Sequence, residues 1–251
     1  MPAMMPHPRK LGFSLVELSI VLVILGLLVG GVLTGQSLIR AAELRAVTTE
    51  YGRYVTAVQS FRDKYFAIPG DMNNATRFWG NLGGTGCTNN AGTAAVSTGT
   101  CDGDGDGSLT WASAAGRTGE NYQFWRELAF AGLIEGTYTG ITVTSTVDSL
   151  AGINVPRSKL SQAAWGTESI ASFAGDGYTY ANNYGNMFNF GITSSGSHPI
   201  TSVLKTEEAW NIDTKMDDGR PGTGKVIARN WDNCTTSTTN SNFTGTYDFA
   251  N

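Results

Sequence analysis

Histidine is almost missing from this chain: His7 and His198 are the only two in 251 residues. That scarcity removes most routes to zinc ligation and to imidazole acid–base chemistry. The sequence contains no H-E-x-x-H pair, nucleophile elbow or phosphate loop, so the common hydrolase and nucleotide-binding signatures are missing as well. Charge is sparse, at 15% of residues, with 17 basic groups against 21 acidic ones and a net charge of −4. A mildly acidic chain argues against broad electrostatic binding to DNA. Proline is absent between residues 13 and 68, so nothing there forces a helix to break. Cysteine is limited to Cys87, Cys101 and Cys234, enough for one disulfide with one residue left over.

What the chain has in place of these is a long apolar run. It begins after Arg9 and Lys10 and continues through Leu33, with Glu17 as its one carboxylate. The two basic residues hold the N-terminal end on the cytoplasmic side. A carboxylate in hydrocarbon costs roughly 2.5–3.5 kcal/mol on insertion scales, so Glu17 needs a partner. A secretory signal would end in a small-residue cleavage site, but here the run passes through Gly26, Gly30, Gly31 and Gly35 into a polar helix. The cut is therefore expected before the run, between Gly12 and Phe13. Those four glycines suit close helix contacts or local melting, and equally the ordinary tolerance of membrane helices for glycine.

Beyond the run, Leu44, Val47, Tyr51, Tyr54, Val58, Phe61 and Tyr65 recur three or four residues apart, a helical stripe. Arg40, Glu43, Arg45, Glu50, Arg53, Arg62 and Asp63 fall mostly between its members, and Pro69-Gly70 is a stop signal. A helix from Phe13 to about Phe66 would be roughly 80 Å long, its first half spanning a bilayer and its second half lying against a head. A coiled-coil seam is the alternative use of the stripe; about three heptads followed by Pro-Gly favour packing on the chain's own head. About 185 residues follow the stem, enough for one domain with a core. The chain's 32 glycines and its frequent Thr, Ser and Asn suit an exported, β-rich head with long loops.

The block Lys10-Leu11-Gly12-Phe13-Ser14-Leu15-Val16-Glu17-Leu18 resembles the class III leader of type IV pilins and type II secretion pseudopilins. The resemblance implies cleavage after Gly12 by prepilin peptidase, N-methylation of Phe13, and a role for Glu17 in pairing with the N-terminal amine of a neighbouring subunit. It implies an α+β, pilin-like fold: a long N-terminal helix packed on a globular head with an antiparallel sheet. The chain then divides into a cleaved leader (1–12), a membrane half (13–35), an amphipathic stem (36–68) and a head (69–251). The implied partners are the peptidase, other pilin or pseudopilin subunits, an inner-membrane assembly platform and the membrane, with no nucleic acid. The head would stand in the periplasm until assembly into a periplasmic or extracellular filament. Removal of the leader takes away Arg9, Lys10 and His7, leaving a net charge of −6 and His198 alone.

More weakly, Tyr65-Phe66-Ala67-Ile68-Pro69-Gly70-Asp71, Phe78-Trp79-Gly80, Phe124-Trp125 and the late Ile212-Asp213-x-Lys215-x-Asp217-Asp218-Gly219 look like a group of bacterial pilin-like proteins. The expected role is structural and not enzymatic. Two other classes stay open: an adhesin or DNA-uptake tip pilin binding through head loops, and a membrane-anchored enzyme, for which isolated Asp/Glu pairs leave a glycosidase conceivable.

Two acidic stretches suggest cations. In Asp102-Gly103-Asp104-Gly105-Asp106-Gly107-Ser108, acids at alternate positions followed by Gly resemble the first half of an EF-hand loop. Asp102, Asp104, Asp106 and the Ser108 carbonyl are the expected calcium ligands. Position twelve is Ser113 in place of the bidentate Glu, so Glu120 or Glu127 would complete the shell. Asp213, Asp217 and Asp218 form a second candidate set, which helix capping and a turn explain equally well. Calcium near the head is also a property of major pseudopilins, which the resemblance brings with it.

Cys87 and Cys101 bracket a tract without core-forming residues. A bridge between them would close a loop of about 15 residues and contribute ~3 kcal/mol. For secondary structure, the pattern predicts a short amphipathic helix over 120–134, with Phe124, Leu128 and Ala131 on one face. A second helix is expected from Thr206 as its N-cap, with Glu207 and Glu208 in the first turn, burying Ala209, Ile212 and Met216. Strand candidates are Gly140–Val147, Tyr178–Tyr180, Met187–Ile192 and Lys225–Ala228.

Overall fold

The computed structural model describes residues 14–82, 98–111, 119–142, 149–170, 179–193, 196–229, 234–237, 239 and 241–250. The chain forms two compact units, Met1–Ala42 and Glu43–Asn251. A 51-residue helix, α1 (Leu15–Tyr65), begins in the first and continues into the second. It ends four residues before Pro69, because Phe66 takes a left-handed conformation (φ 55°) and closes the last turn with its amide on the Arg62 carbonyl at 2.8 Å.

All seven members of the predicted stem stripe pack in the core of the second unit or at its edge. The fully buried positions are Val47, Glu50, Tyr54, Ala57 and Phe61, a spacing that marks one helix face. Glu50 belongs to that face and not to the solvent side where its charge would place it. Its carboxylate accepts hydrogen bonds from the Ser158 hydroxyl (2.7 Å), the Lys159 amide (2.8 Å) and the Trp165 indole N–H (2.8 Å). Three donors from one head segment thus fasten the stem at a single carboxylate, which makes its burial tolerable.

The sheet has three antiparallel strands in the order β1 (Ala163–Ile170), β2 (Gly185–Thr193), β3 (Pro199–Thr201). Trp165 stands opposite Phe190 and Thr167 opposite Phe188, and the β2–β3 register slips at Ile192/Thr193. Tyr54 of the stem meets Trp125 and Trp165 edge-on, at ring-centroid distances of 5.0 and 5.6 Å, and Phe188 lies 5.9 Å from Trp125. Stem, sheet and α3 (Glu120–Phe130) join at this aromatic knot. Each such ring pair contributes roughly 0.5–1.5 kcal/mol beyond area burial.

The helix expected over 120–134 is shorter, and it is not amphipathic in use. Every residue from Glu120 to Leu128 is buried, polar ones included. Four polar side chains of α3 hold surrounding segments, whereas the buried Oδ1 of Asn121 has no donor among the described residues. Glu120 accepts from the Asp104 (3.0 Å) and Thr110 (2.8 Å) amides. Gln123 donates to the Gly140 carbonyl and accepts from Thr100. Arg126 donates to the Thr139 carbonyl, and Glu127 accepts from the Gly70 amide at 2.7 Å. Gly70 packs so tightly on α3, with φ 84°, that a Cβ would strike the Glu120 carbonyl.

Of the strand candidates, Met187–Ile192 lies within β2. Gly140, Ile141 and Thr142 belong to no named strand, and residues 143–147 lie outside the described residues. Thr179 and Tyr180 are irregular, with Tyr178 outside the described residues, and Lys225–Ala228 is a loop. In α4 (Thr206–Met216), Thr206 is the first helical residue and not the cap it was expected to be. Lys205 precedes it as the cap, and its amide is received by Glu208 at 2.9 Å. Between stem and α3, the one-turn helix α2 (Thr76–Trp79) follows the Pro69-Gly70 turn.

Candidate functional sites: an apolar helix and two acidic clusters

From Leu18 to Ile39, α1 carries no charged residue, and its large apolar side chains are exposed on every face. A helix apolar all round is built for burial in lipid or among other helices. This one is long and apolar enough to cross a membrane. Its first turn is closed reciprocally. The Ser14 amide donates to the Glu17 carboxylate at 2.8 Å, and the Val16 amide to the Ser14 hydroxyl at 3.2 Å. Among the described residues Glu17 therefore has one donor, from its own turn, and its remaining acceptor capacity is open to another. Gly12 and Phe13 lie outside the described residues.

The Asp-Gly loop folds differently from an EF-hand. Asp102 turns away to cap α2, accepting from the Thr76 amide (2.8 Å) and hydroxyl (3.0 Å). Asp106 receives the Ser108 amide at 2.7 Å and Asp104 the Asp106 amide at 3.1 Å, two local turns. Among the described residues, the acids that converge are Asp71, Asp104 and Glu120, whose carboxylate oxygens lie within 4.8 Å of one another. Asp71, absent from the expected ligand set, accepts from the Gly105 (2.8 Å) and Gly107 (3.0 Å) amides. Burial raises the pKa of Asp71 and of Glu120, and the backbone amides they hold pull both down again. Backbone donors already serve every carboxylate here, and the cluster organises its own loop. Glu127 lies deeper. Fully buried, it is pushed up to about 8 by desolvation, against the pull of the Gly70 amide and Thr100 hydroxyl. Ser113 lies outside the described residues.

The second candidate set does come together: Asp213, Asp217 and Asp218 present carboxylate oxygens within 4.8 Å of one another at the end of α4. Asp213 is fully buried (0% exposed). Its Oδ2 accepts from the Tyr247 hydroxyl at 2.9 Å; its Oδ1 has no donor within 3.5 Å among the described residues, although the Gly219 amide is near enough to lower its pKa. Burial pushes the Asp213 carboxyl up to about 6. Asp218, exposed, is held below the usual range chiefly by the Thr223 hydroxyl at 2.6 Å.

The Cys234 thiol donates to the Arg229 carbonyl. Cys101 is buried, and Cys87, its expected partner, lies outside the described residues. His198 is occupied structurally: Nε2 sits 2.7 Å from Glu168, and its ring lies against Trp111 at 3.6 Å.

Residues 7–33 match the family model of the prokaryotic N-terminal methylation motif, the signature of type IV pilins and pseudopilins. No curated protein and no solved structure matches the chain. With the long apolar helix and the small antiparallel sheet, the fold is α+β and pilin-like.

Proposed function

We propose that this chain is a structural subunit of a type IV pilus or type II secretion pseudopilus. Prepilin peptidase cleaves it after Gly12, Phe13 becomes the methylated N-terminus, and the apolar half of α1 packs among the same segments of neighbouring subunits. The observation that carries this reading is the methylation motif over residues 7–33 set on a helix apolar on all sides, with Glu17 in its first turn. Cleavage creates a new cation beside that turn. An amine from an adjacent subunit would fill the acceptor capacity that the Ser14 amide leaves open. The second unit, fastened to the stem through Glu50, is the head such a helix displays. In this scheme the inner-membrane assembly platform draws subunits from the bilayer, and the head stands in the periplasm beforehand.

Mass spectrometry of the N-terminal peptide from native, membrane-extracted protein tests this reading. A chain starting at N-methylated Phe13 supports it. Met1 and an intact leader in cells with active peptidase would reduce α1 to a plain anchor and sink the filament reading.

A further inference from the structure

We infer that the second unit binds a long-chain fatty acid, a single acyl chain ending in a carboxylate, in a cleft between the stem, β2 and α4. This site is independent of the filament reading. The cleft has a volume of about 670 Å³, inside the range of roughly 300–1,000 Å³ typical of small-ligand sites. The stem contributes Tyr51 and Val55 to its lining, β2 Phe188 and Phe190, and α4 Ile212 and Met216. The space exists because α4 keeps apart: among the described residues it runs in close backbone contact with no other helix or strand. Tyr51, Phe188, Phe190 and Met216 are therefore only partly buried, although each packs at the edge of the core. Apolar side chains left facing a concave, open space mark a place for an apolar ligand.

Charge decides which apolar ligand fits. The chain carries more acidic than basic residues, 21 against 17, yet the charged residues lining the cleft are Lys225 and Arg229, with no acid among its described walls. A cleft with low-dielectric walls and charge of one sign focuses its field on a ligand of the other. Both cations are held in place. The Lys225 amide donates to the Asp217 carboxylate, and the Arg229 Nε donates to the Thr179 hydroxyl at 3.0 Å. A neutral apolar ligand would leave these cations unused, and a small polar anion would gain nothing from the rings and aliphatic walls. An acyl chain with a terminal carboxylate uses both features. The helix that lines the cleft with Tyr51 is long and apolar enough to cross a membrane, and the bilayer is the source of such amphiphiles.

The test uses the full chain in its native membranes, treated with a palmitate that carries a diazirine and an alkyne, irradiated and mapped by peptide mass spectrometry. Label is expected on the peptides containing Tyr51, Phe188 and Met216, besides lipid-facing label on the run Leu18–Ile39. Ala209→Phe, which fills the cleft from α4, should cut the cleft label at least about tenfold, and Lys225→Glu at least about threefold, with label on the run unchanged. Lys225 is exposed, so its variant carries the test should Ala209→Phe not fold. The same probe ending in an alcohol should label the cleft about threefold less than the acid. Unlabelled cleft peptides beside a labelled run would overturn the proposal. So would cleft label kept by either folded variant, or equal label from the alcohol. A photoreactive benzophenone amino acid in place of Val203, which also lines the cleft, reports the occupant in untreated membranes. Capture of a fatty acid supports the proposal, and capture of another copy of the chain would give the cleft to a neighbouring subunit and overturn it.

Discussion

The two halves of α1 each carry a carboxylate in apolar surroundings, and they resolve the problem differently. Glu50 is buried in the second unit and receives three donors from Ser158, Lys159 and Trp165. Glu17 sits in a segment exposed on all sides and receives one, from the backbone of its own turn. The first carboxylate is complete within the chain, and nothing outside it is needed. The second is only locally capped and stays available to an outside partner. The same residue type on one helix is thus structural at one place and, in the function proposed above, a docking group at the other, and the count of donors among the described residues separates them.

Replacing each acid should break the comparison in opposite ways. Glu17→Ala has the largest expected consequence: processing proceeds, unfolding of the head is unchanged, and incorporation into filaments falls at least about tenfold, the cost of a lost charge partner in an apolar medium. Sheared-filament immunoblots against total membrane protein would check it. Normal co-assembly would remove Glu17 from the docking role. Glu50→Leu should instead leave two buried donors and one half-buried one unsatisfied and destabilise the head by about 3 kcal/mol. Denaturant melts read it, and an unchanged midpoint would show that the stem is held by its ring contacts alone.

Glu127 sharpens the comparison from a third direction, since it is fully buried yet has neutral or backbone donors only. Its folded pKa, about 8, lies above the value of 4.5 expected when unfolded. The folded state therefore holds a proton that the unfolded state has released. Its contribution is fully present below about 4.5 and is lost as pH rises toward 8. Relative to Glu127→Gln, wild-type stability should fall across that window by at most about 1.4 kcal/mol per pH unit. Parallel slopes for the two proteins would mean that Glu127 titrates normally. The smallest effect belongs to Ser14→Ala, which removes half of the reciprocal cap and should cost about 1 kcal/mol of local helix stability. Amide exchange over the first turn would show faster opening there, with the stem near Glu50 unaffected.

Much of α1 was legible in the sequence because its signals are local. Apolar spacing marked the stripe, and the absence of proline marked continuity. Glu50 was misplaced on the solvent side because its donors lie 108 to 115 residues away, beyond any local window. β1 escaped for a related reason. Ala163-Ala164-Trp165-Gly166 has little strand propensity, and its conformation is set by pairing with β2. α3 looked amphipathic because its polar residues were assigned to water, when Glu120, Gln123, Arg126 and Glu127 in fact hold loops. Asp102 and Asp106 have the EF-hand spacing, but local turns and the start of α2 claim them first. Asp71 gave one usable hint, a carboxylate directly after the helix-stopping Pro69-Gly70. The clustering of Asp213, Asp217 and Asp218 was readable from helical spacing, whereas the burial of Asp213 was not.

The polar residues of α3 also set the timescale on which the head can come apart. The amides of Gly70, Asp104 and Thr110 belong to irregular segments, where exchange with solvent deuterium is ordinarily fast. Here each is held by a carboxylate projecting from one buried helix. Those loop protons can be replaced only when α3 itself lets go, so they should exchange together and as slowly as the helix's own amides.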